Sequence, residues 1–443
     1  MLTGAKRRTT TTGAALALFA LVVPLALAAQ GDTILVSRTS DGSQGGNGSS
    51  FEPSVSADGR FVGFISNANN LSGADSLDTS DIYVFDAQER TVELVSRESG
   101  DGPGGDANSS NVSISASGRF VAFDSVADNL SGGTHTPQNV YVYDRQRNEV
   151  ELISRKSDGG PGGNSGSSEP SISASGRFVA FESEATNLSV DDAGAFTDIF
   201  VYDRRLDQVE LVSRNSNGGA GGNEDSQEPA ISGDGGVVSF QSAAENLSGA
   251  DVAYNDIFAY DRDLDQLKLI SRRSNQGAGA DDMSQSGHST SDNGRYVAFS
   301  TSARNLSGDD VDSAEDVFVY DRGVDKLSLV SRAPGGGPGG DLDSQDPSIS
   351  GSGRYVAFQS GARNLTGVEN EAFADVFVYD RTARTVRLMS RRSNGGPGGD
   401  ATSGTPAISS NGRFVAFAST ADNLPGTYFE TFQNIFRHDY LGP

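Results

Sequence analysis

Acidic side chains recur in one kind of loop along this chain, and their spacing could serve metal binding. Carboxylates at short spacing offer hard oxygen ligands, and Ca²⁺ takes about six to eight of them. We therefore predict a calcium site from Asp75, Asp78, Asp191, Asp192, Asp309, Asp310, Asp312, Glu369 and Glu371. The alternative is that these loops are simply solvated, because no D-x-D-x-D-G loop is present and residues 133–136 hold no carboxylate.

Residues suited to catalysis are sparse. The 3 histidines, His135, His288 and His438, stand at different places in the pattern described below, so they cannot form a recurring site. No G-x-S-x-G elbow for a serine nucleophile is present. We expect no catalytic residues and no organic cofactor. A pair of carboxylates acting as in a glycosidase is the alternative, since aspartates are abundant.

A six-residue segment that recurs along the chain indicates the architecture. Gly-Arg-Phe-Val-Gly-Phe begins at Gly59, and close copies begin at residues 118, 176, 294, 353 and 412, with a degenerate copy at residues 235–240. The steps between copies are 58 or 59 residues. Such a period is typical of solenoids, propellers and arrays, in which each unit buries its apolar face against its neighbours.

Each unit contains four strand signals. In the first unit they are residues 53–56, 60–66, 81–86 and 92–97. The second and third are apolar on consecutive residues, which indicates sheets covered on both faces. Seven such units predict an all-β, seven-bladed β-propeller with four antiparallel strands per blade, filling residues 33–443 as one domain.

The two ends of the chain predict how the ring closes. The last unit stops after its third strand, at residues 434–439, whereas residues 33–38 form a lone strand near the start. We expect this N-terminal strand to complete blade 7, which leaves no broad unpaired sheet edge.

These motifs resemble a known family. The pattern S-A-D-G-R-F-V-A-F followed by D-I-F-V-Y-D is similar to the TolB-type, WD40-like propeller repeat of bacterial exported proteins, over residues 33–443. The resemblance implies a periplasmic or secreted propeller that is not an enzyme and that binds proteins. TolB itself is similar to a six-bladed ring behind a small α/β domain, so the Tol partners are not carried over to this chain of seven units.

The first 28 residues predict a secretory signal peptide. Lys6, Arg7 and Arg8 precede an apolar run over residues 14–27, and Ala-Leu-Ala at residues 26–28 fits a cleavage site. An uncleaved anchor is the alternative. We expect a secreted or periplasmic protein without membrane insertion after cleavage. The chain has no cysteine, so packing alone must hold it together.

The net charge of -25 limits the partners. Such a field repels nucleic acid and anionic lipids and favours cations and basic partners. We expect a monomer that binds a protein or another extracellular ligand.

Several recurring polar residues have structural interpretations. We predict cross-strand pairs between Asp81 and Arg97 and between Arg60 and Asp86; the functional alternative is an arginine cluster that binds an anionic ligand. Asn70 and its copies in the other units mostly match the glycosylation sequon. We interpret them as asparagines that stabilise a bend.

Strand alternation predicts which surface binds ligands. Loops from fourth to first strands and from second to third strands should emerge on one face, the long-loop face, and the two short turns on the other. The long-loop face would carry the glycine-rich and the acidic loops. We expect a non-catalytic binding module that uses this face. The alternatives are a carbohydrate-active hydrolase or lyase, and a structural cell-surface repeat protein.

Overall fold

The fold is built from seven four-stranded antiparallel sheets. The computed structural model describes Met1 and residues 31–440, except residues 74–78, 131–136, 192–193, 195, 248–254, 285–286, 309–312, 367–372, 427 and 429–431. The predicted signal peptide therefore lies almost wholly outside the described residues. Within the described part of the chain, no helix is long and apolar enough to cross a membrane.

The strands follow the predicted order of four per unit, and each set of four forms one blade. In blades 1 to 4 they are β2 Ser50–Val55, β3 Phe61–Ser66, β4 Asp81–Asp86, β5 Thr91–Leu94, β6 Ser109–Ile114, β7 Phe120–Ser125, β8 Asn139–Asp144, β9 Glu149–Leu152, β10 Ser167–Ile172, β11 Phe178–Ser183, β12 Asp198–Asp203, β13 Gln208–Leu211, β14 Ser226–Ile231, β15 Val237–Ser242, β16 Asp256–Asp261 and β17 Gln266–Leu269. In blades 5 to 7 they are β18 Ser289–Thr290, β19 Tyr296–Thr301, β20 Asp316–Asp321, β21 Lys326–Leu329, β22 Ser344–Ile349, β23 Tyr355–Ser360, β24 Asp375–Asp380, β25 Thr385–Leu388, β26 Ser403–Ile408, β27 Phe414–Ser419 and β28 Asn434–Asp439, with β1 Thr33–Leu35. A 3₁₀ turn spans Ser393–Gly395.

The predicted closure of the ring is confirmed. Strand β1 pairs antiparallel with β28, with Thr33 opposite His438 and Leu35 opposite Phe436. The Thr33 hydroxyl also lies 2.8 Å from Nδ1 of His438. The first strands of neighbouring blades contact one another around the whole circle, so they surround a central axis. Blade 7 is thus built from both ends of the described chain.

The recurring glycine and aromatic residue join each blade to the next. Gly118 has φ +70, and a Cβ placed on it would lie 2.1 Å from the Phe61 ring of the preceding blade. Glycine is required here both by the backbone conformation and by the close approach. The same contact recurs at six of the seven junctions and includes Gly59 against Phe414, which joins blade 7 to blade 1; at the junction of blades 4 and 5, Gly294 packs against Val237 instead.

The two predicted ion pairs had different outcomes. Arg60 pairs with Asp86 at 2.6 Å, as expected, and this pair recurs in all blades except the degenerate blade 4. The pairing of Asp81 with Arg97 is wrong by one position of register. Tyr83 lies opposite Leu94, which places Asp81 opposite Ser96, whose hydroxyl donates to Asp81 at 2.6 Å. Arg97 instead donates to the carbonyl of Gly102.

The repeated asparagines hold two long loops together. The Asn129 side-chain amide donates to the carbonyl of Gly104 at 3.0 Å, and its Oδ1 accepts from the Asp106 amide at 3.1 Å. The partner is thus the glycine-rich loop that precedes the first strand. A side-chain nitrogen engaged in this way is structural, as predicted.

The glycine-rich loops do not lie only on the long-loop face. Their tips reach along the outer rim to the next blade, where Val150 donates to the Ser99 hydroxyl at 2.9 Å and Gly100 donates to the Asn148 carbonyl at 2.6 Å. These loops therefore link neighbouring blades by hydrogen bonds.

Candidate functional site

A ring of seven bulge residues lines the axis near the long-loop face. Each first strand shifts register against the second strand close to its start, for example between Phe51 and Ser54. The residue in this bulge has a left-handed backbone, with φ between +45 and +83. We call these residues the axial ring: Glu52, Asn111, Glu169, Glu228, Gly287, Asp346 and Thr405.

Carboxylates dominate this ring. Four of its seven members are acidic, and Asp124 and Glu182 add two more from the adjoining end of the second strands. Asp124 is fully buried and accepts hydrogen bonds from Ser110 and Asn111, both at 2.8 Å. The axis therefore carries six carboxylates at one level.

Backbone amides of the ring hold these carboxylates in place across blade boundaries. The Glu228 amide donates to Glu182 at 3.0 Å, and the Gly287 amide donates to Glu228 at 2.9 Å. At Glu228 and Gly287 the bulge thus turns the amide toward a carboxylate of the preceding blade. The left-handed conformation thus positions the acidic groups.

Every one of the six carboxyl groups has a raised pKa. Desolvation inside the axis is the main cause in each case, although Glu52 keeps an exposed surface, and for Glu52, Glu169, Glu182 and Asp346 the neighbouring carboxylates add to it. The pKa of Glu169 rises to about 8. Glu52 is affected by Asp346, which lies two blades away, so the charges interact across the axis. Burial and like charges both disfavour the ionised form.

The opposite end of the axis is encircled by hydrogen-bonded backbone. A circle of seven hydrogen bonds links the turns between first and second strands, beginning with the Ala57 amide on the Ala116 carbonyl and ending with the Asn411 amide on the Ala57 carbonyl. The Asp292 side chain then crosses to the Ser410 hydroxyl at 2.5 Å, over Gly351 of the intervening blade. This end of the axis is therefore narrowed, whereas the axial ring lies near the long-loop face.

The predicted calcium ligands lie largely beyond what the structure describes. Asp75, Asp78, Asp192, Asp309, Asp310, Asp312, Glu369 and Glu371 fall outside the described residues. Asp191 is described and is exposed. Among the described residues, no group of three or more His, Asp or Glu side chains is arranged to hold a metal ion. The calcium site stays a prediction.

The histidines occupy unrelated places. Burial lowers the pKa of His288 and of His438 to about 4, so both imidazoles are neutral at physiological pH. His438 belongs to the ring closure through Thr33. His135 lies outside the described residues.

Sequence reasoning missed the axial ring. Its signal was present, because an acidic residue directly precedes proline in the first strand of four units, as in Glu52-Pro53 and Glu169-Pro170. A residue before proline normally adopts an extended conformation. The left-handed bulge that turns these carboxylates toward the axis could therefore not be anticipated from local preference.

Comparison with known proteins shows the fold. No protein-family model matches the chain, and no curated protein matches it significantly. Oligogalacturonate lyase from Vibrio parahaemolyticus is 13% identical with a TM-score of 0.50, over 93% of this chain and 98% of that one. The β-propeller domain of the Trilobed protease from Pyrococcus furiosus is 10% identical with a TM-score of 0.52, over 89% and 99%.

TolB from Acinetobacter baumannii is also among the similar structures. It is 15% identical with a TM-score of 0.40, over 78% of this chain, which spans 64% of that structure. The four-stranded blades found here confirm the architecture that the TolB-type repeat predicts. The chain is a seven-bladed β-propeller closed by its N-terminal strand.

Proposed function

We propose that this protein is an exported, non-catalytic binding module that receives a cationic group of a protein ligand in its axial ring. The observation that carries the proposal is the set of six axial carboxyl groups with raised pKa values. A lysine or arginine side chain among them would offset the cost of burying like charges.

The shape of the axis supports one direction of entry. The turns that carry Ala57 and its counterparts narrow the far end, so a ligand would approach from the long-loop face, where loops between blades can add contacts. Long side chains with a terminal charge suit a narrow acidic lumen. A basic, extended segment of a partner protein meets both requirements.

Isothermal titration calorimetry with an amidated tri-lysine peptide tests this function. We expect binding to the wild-type protein and a loss of about tenfold or more in affinity for Glu169→Gln/Glu228→Gln, because a glutamine cannot ionise to pair with the bound ammonium in this partly desolvated place. Glu89→Gln/Glu149→Gln removes two exposed rim charges and serves as the matched control. Equal weakening in both double variants would show a nonspecific charge effect and overturn the proposal.

One observation favours an enzymatic alternative. Glu169 has a pKa of about 8 beside other carboxyl groups, and a strongly shifted acid in a cleft is a candidate for proton transfer. A carbohydrate-active hydrolase or lyase could use it as an acid or base. Release of reducing or unsaturated sugars from a panel of glycans, abolished in Glu169→Gln, would favour this alternative.

We also propose that calcium stabilises the acidic loops between second and third strands. Thermal unfolding with millimolar calcium, compared with excess chelator, tests this directly. Calcium should raise the unfolding midpoint, because a ligand that binds only the folded state stabilises it. An unchanged midpoint would exclude the site.

A further inference from the structure

Because the blades repeat, equivalent residues can be compared from one blade junction to the next. At the outer rim between blades 2 and 3, Arg204 pairs with Glu151 at 2.7 Å and Arg155 lies 3.1 Å from Asp207. Between blades 3 and 4 the equivalent distances are 3.0 Å for Arg262 with Glu210 and 3.5 Å for Arg214 with Asp265. At these junctions the rim arginines therefore face carboxylates from the same two positions.

The junction between blades 5 and 6 has lost both carboxylates. Ser328 stands where Glu151 and Glu210 stand, and Arg384 replaces Asp207 and Asp265. Arg381, the counterpart of Arg204, donates to the Gly353 carbonyl, just as Arg204 donates to the Gly176 carbonyl in addition to its ion pair with Glu151. Within the described part of the chain, neither Arg381 nor Arg384 forms an ion pair.

These substitutions surround a cavity. It has a volume of about 690 Å³, and its lining includes Lys326, Arg332, Arg381, Arg384, Tyr379 and a single carboxylate, Asp321. A Cβ placed on Gly336 would lie 4.0 Å from one guanidinium nitrogen of Arg332 and 4.0 Å from one of Arg384. The glycine thus leaves space between two converging cationic groups.

The electrostatics of the cavity agree with this geometry. Burial raises the pKa of the Tyr379 hydroxyl, and Arg332, Arg384 and Arg381 all act in the opposite direction, so three guanidinium groups lie near that hydroxyl. Burial lowers the pKa of Arg381. The guanidinium groups of Arg332, Arg381 and Arg384 are therefore concentrated in a partly desolvated cavity, although the chain as a whole has a net charge of -25.

We propose that this cavity, between blades 5 and 6, binds an anionic ligand through a phosphate, sulfate or carboxylate group. Guanidinium groups match the planar and bidentate geometry of such oxyanions, and a tyrosine hydroxyl adds a donor. The ligand takes the place of the two carboxylates that the junctions between blades 2 and 3 and between blades 3 and 4 supply from within the chain. This site is separate from the axial ring and opposite to it in charge.

Two variants restore the carboxylates found at the junctions between blades 2 and 3 and between blades 3 and 4. Ser328→Glu copies Glu151, and Arg384→Asp copies Asp207, which has the same left-handed backbone, with φ +55 against +56 at Arg384. Both should fold, since neighbouring blades carry these residues. Arg205→Asp is the control, because it changes the charge at an exposed turn position in blade 3 by as much as Arg384→Asp.

Titration calorimetry at constant ionic strength, with inorganic phosphate, inorganic sulfate and glucuronic acid as separate probes, tests the site. The inorganic probes report a free oxyanion, and glucuronic acid reports a carboxylate on a saccharide. We expect at least one probe to bind the wild-type protein, and each restoring variant to weaken it about tenfold or more. Binding of no probe, or equal binding by wild type and both variants, would overturn the proposal, as would equal weakening by Arg205→Asp.

Discussion

At the scale of single residues, the recurring segment can be explained one position at a time. Its glycine admits the aromatic ring of the preceding blade, its arginine pairs with the aspartate that ends the third strand, and its second aromatic ring stacks within the sheet. For example, the ring centroids of Phe64 and Tyr83 lie 5.8 Å apart. The sequence predicted the pair of Arg60 with Asp86. It missed the partner of Asp81, because the length of the short turn between the third and fourth strands did not define their register to within one residue.

The glycine contact gives a residue-scale prediction. Gly118→Ala should lower the free energy of unfolding by about 2 to 4 kcal/mol, because a left-handed alanine and a clash with Phe61 both cost stability. Gly100→Ala is the matched control. Gly100 has φ +71 but nothing within 4 Å of its Cβ, so only the conformational cost of about 1 to 2 kcal/mol applies. Urea unfolding measures both, and equal losses would refute the packing role.

The raised pKa of Glu169 predicts a pH dependence. The folded protein keeps this proton up to about pH 8, whereas the unfolded chain releases it near the ordinary glutamate pKa of 4.5. The folded state thus binds more protons between these values, so stability should fall as the pH rises through that window. In urea unfolding, Glu169→Gln should reduce the fall in the free energy of unfolding between pH 5 and pH 9. Glu89→Gln should leave this fall unchanged. A wild-type stability that rises over this window would contradict the assignment.

At the scale of elements, regular strands were predictable and the bulges were not. Consecutive apolar residues indicate the second and third strands, which are the most buried elements of each blade. The first strand carries the acidic residue of the axial ring. This residue has a left-handed backbone, although a residue before proline normally adopts an extended conformation. The axial ring therefore emerges only when seven first strands are placed around one axis.

At the scale of the whole molecule, closure determines which surfaces are available. Strand β1 covers the edge of β28, so that the last sheet has four strands like the others. The long loops, the axial ring and the narrowed far end all follow from this arrangement. The repeat length and the incomplete last unit were enough to predict it, because unpaired sheet edges are unfavourable.

Removing the closing strand should therefore destabilise the entire ring. Deletion of residues 31–38 would expose the β28 edge, lower the urea midpoint and promote aggregation, as expected for an uncovered strand. Adding the missing segment as a synthetic peptide should restore part of the lost stability. An unchanged midpoint after the deletion would contradict the closure.

The most direct test of the account is a crystal structure of the protein with the tri-lysine peptide. We predict a lysine ammonium on the axis among Glu52, Glu169, Glu228 and Asp346, with the peptide leaving through the long-loop face. Peptide bound only on the outer rim, or entering past Asp292 and Ser410, would contradict the central claim that the axial ring is the binding site.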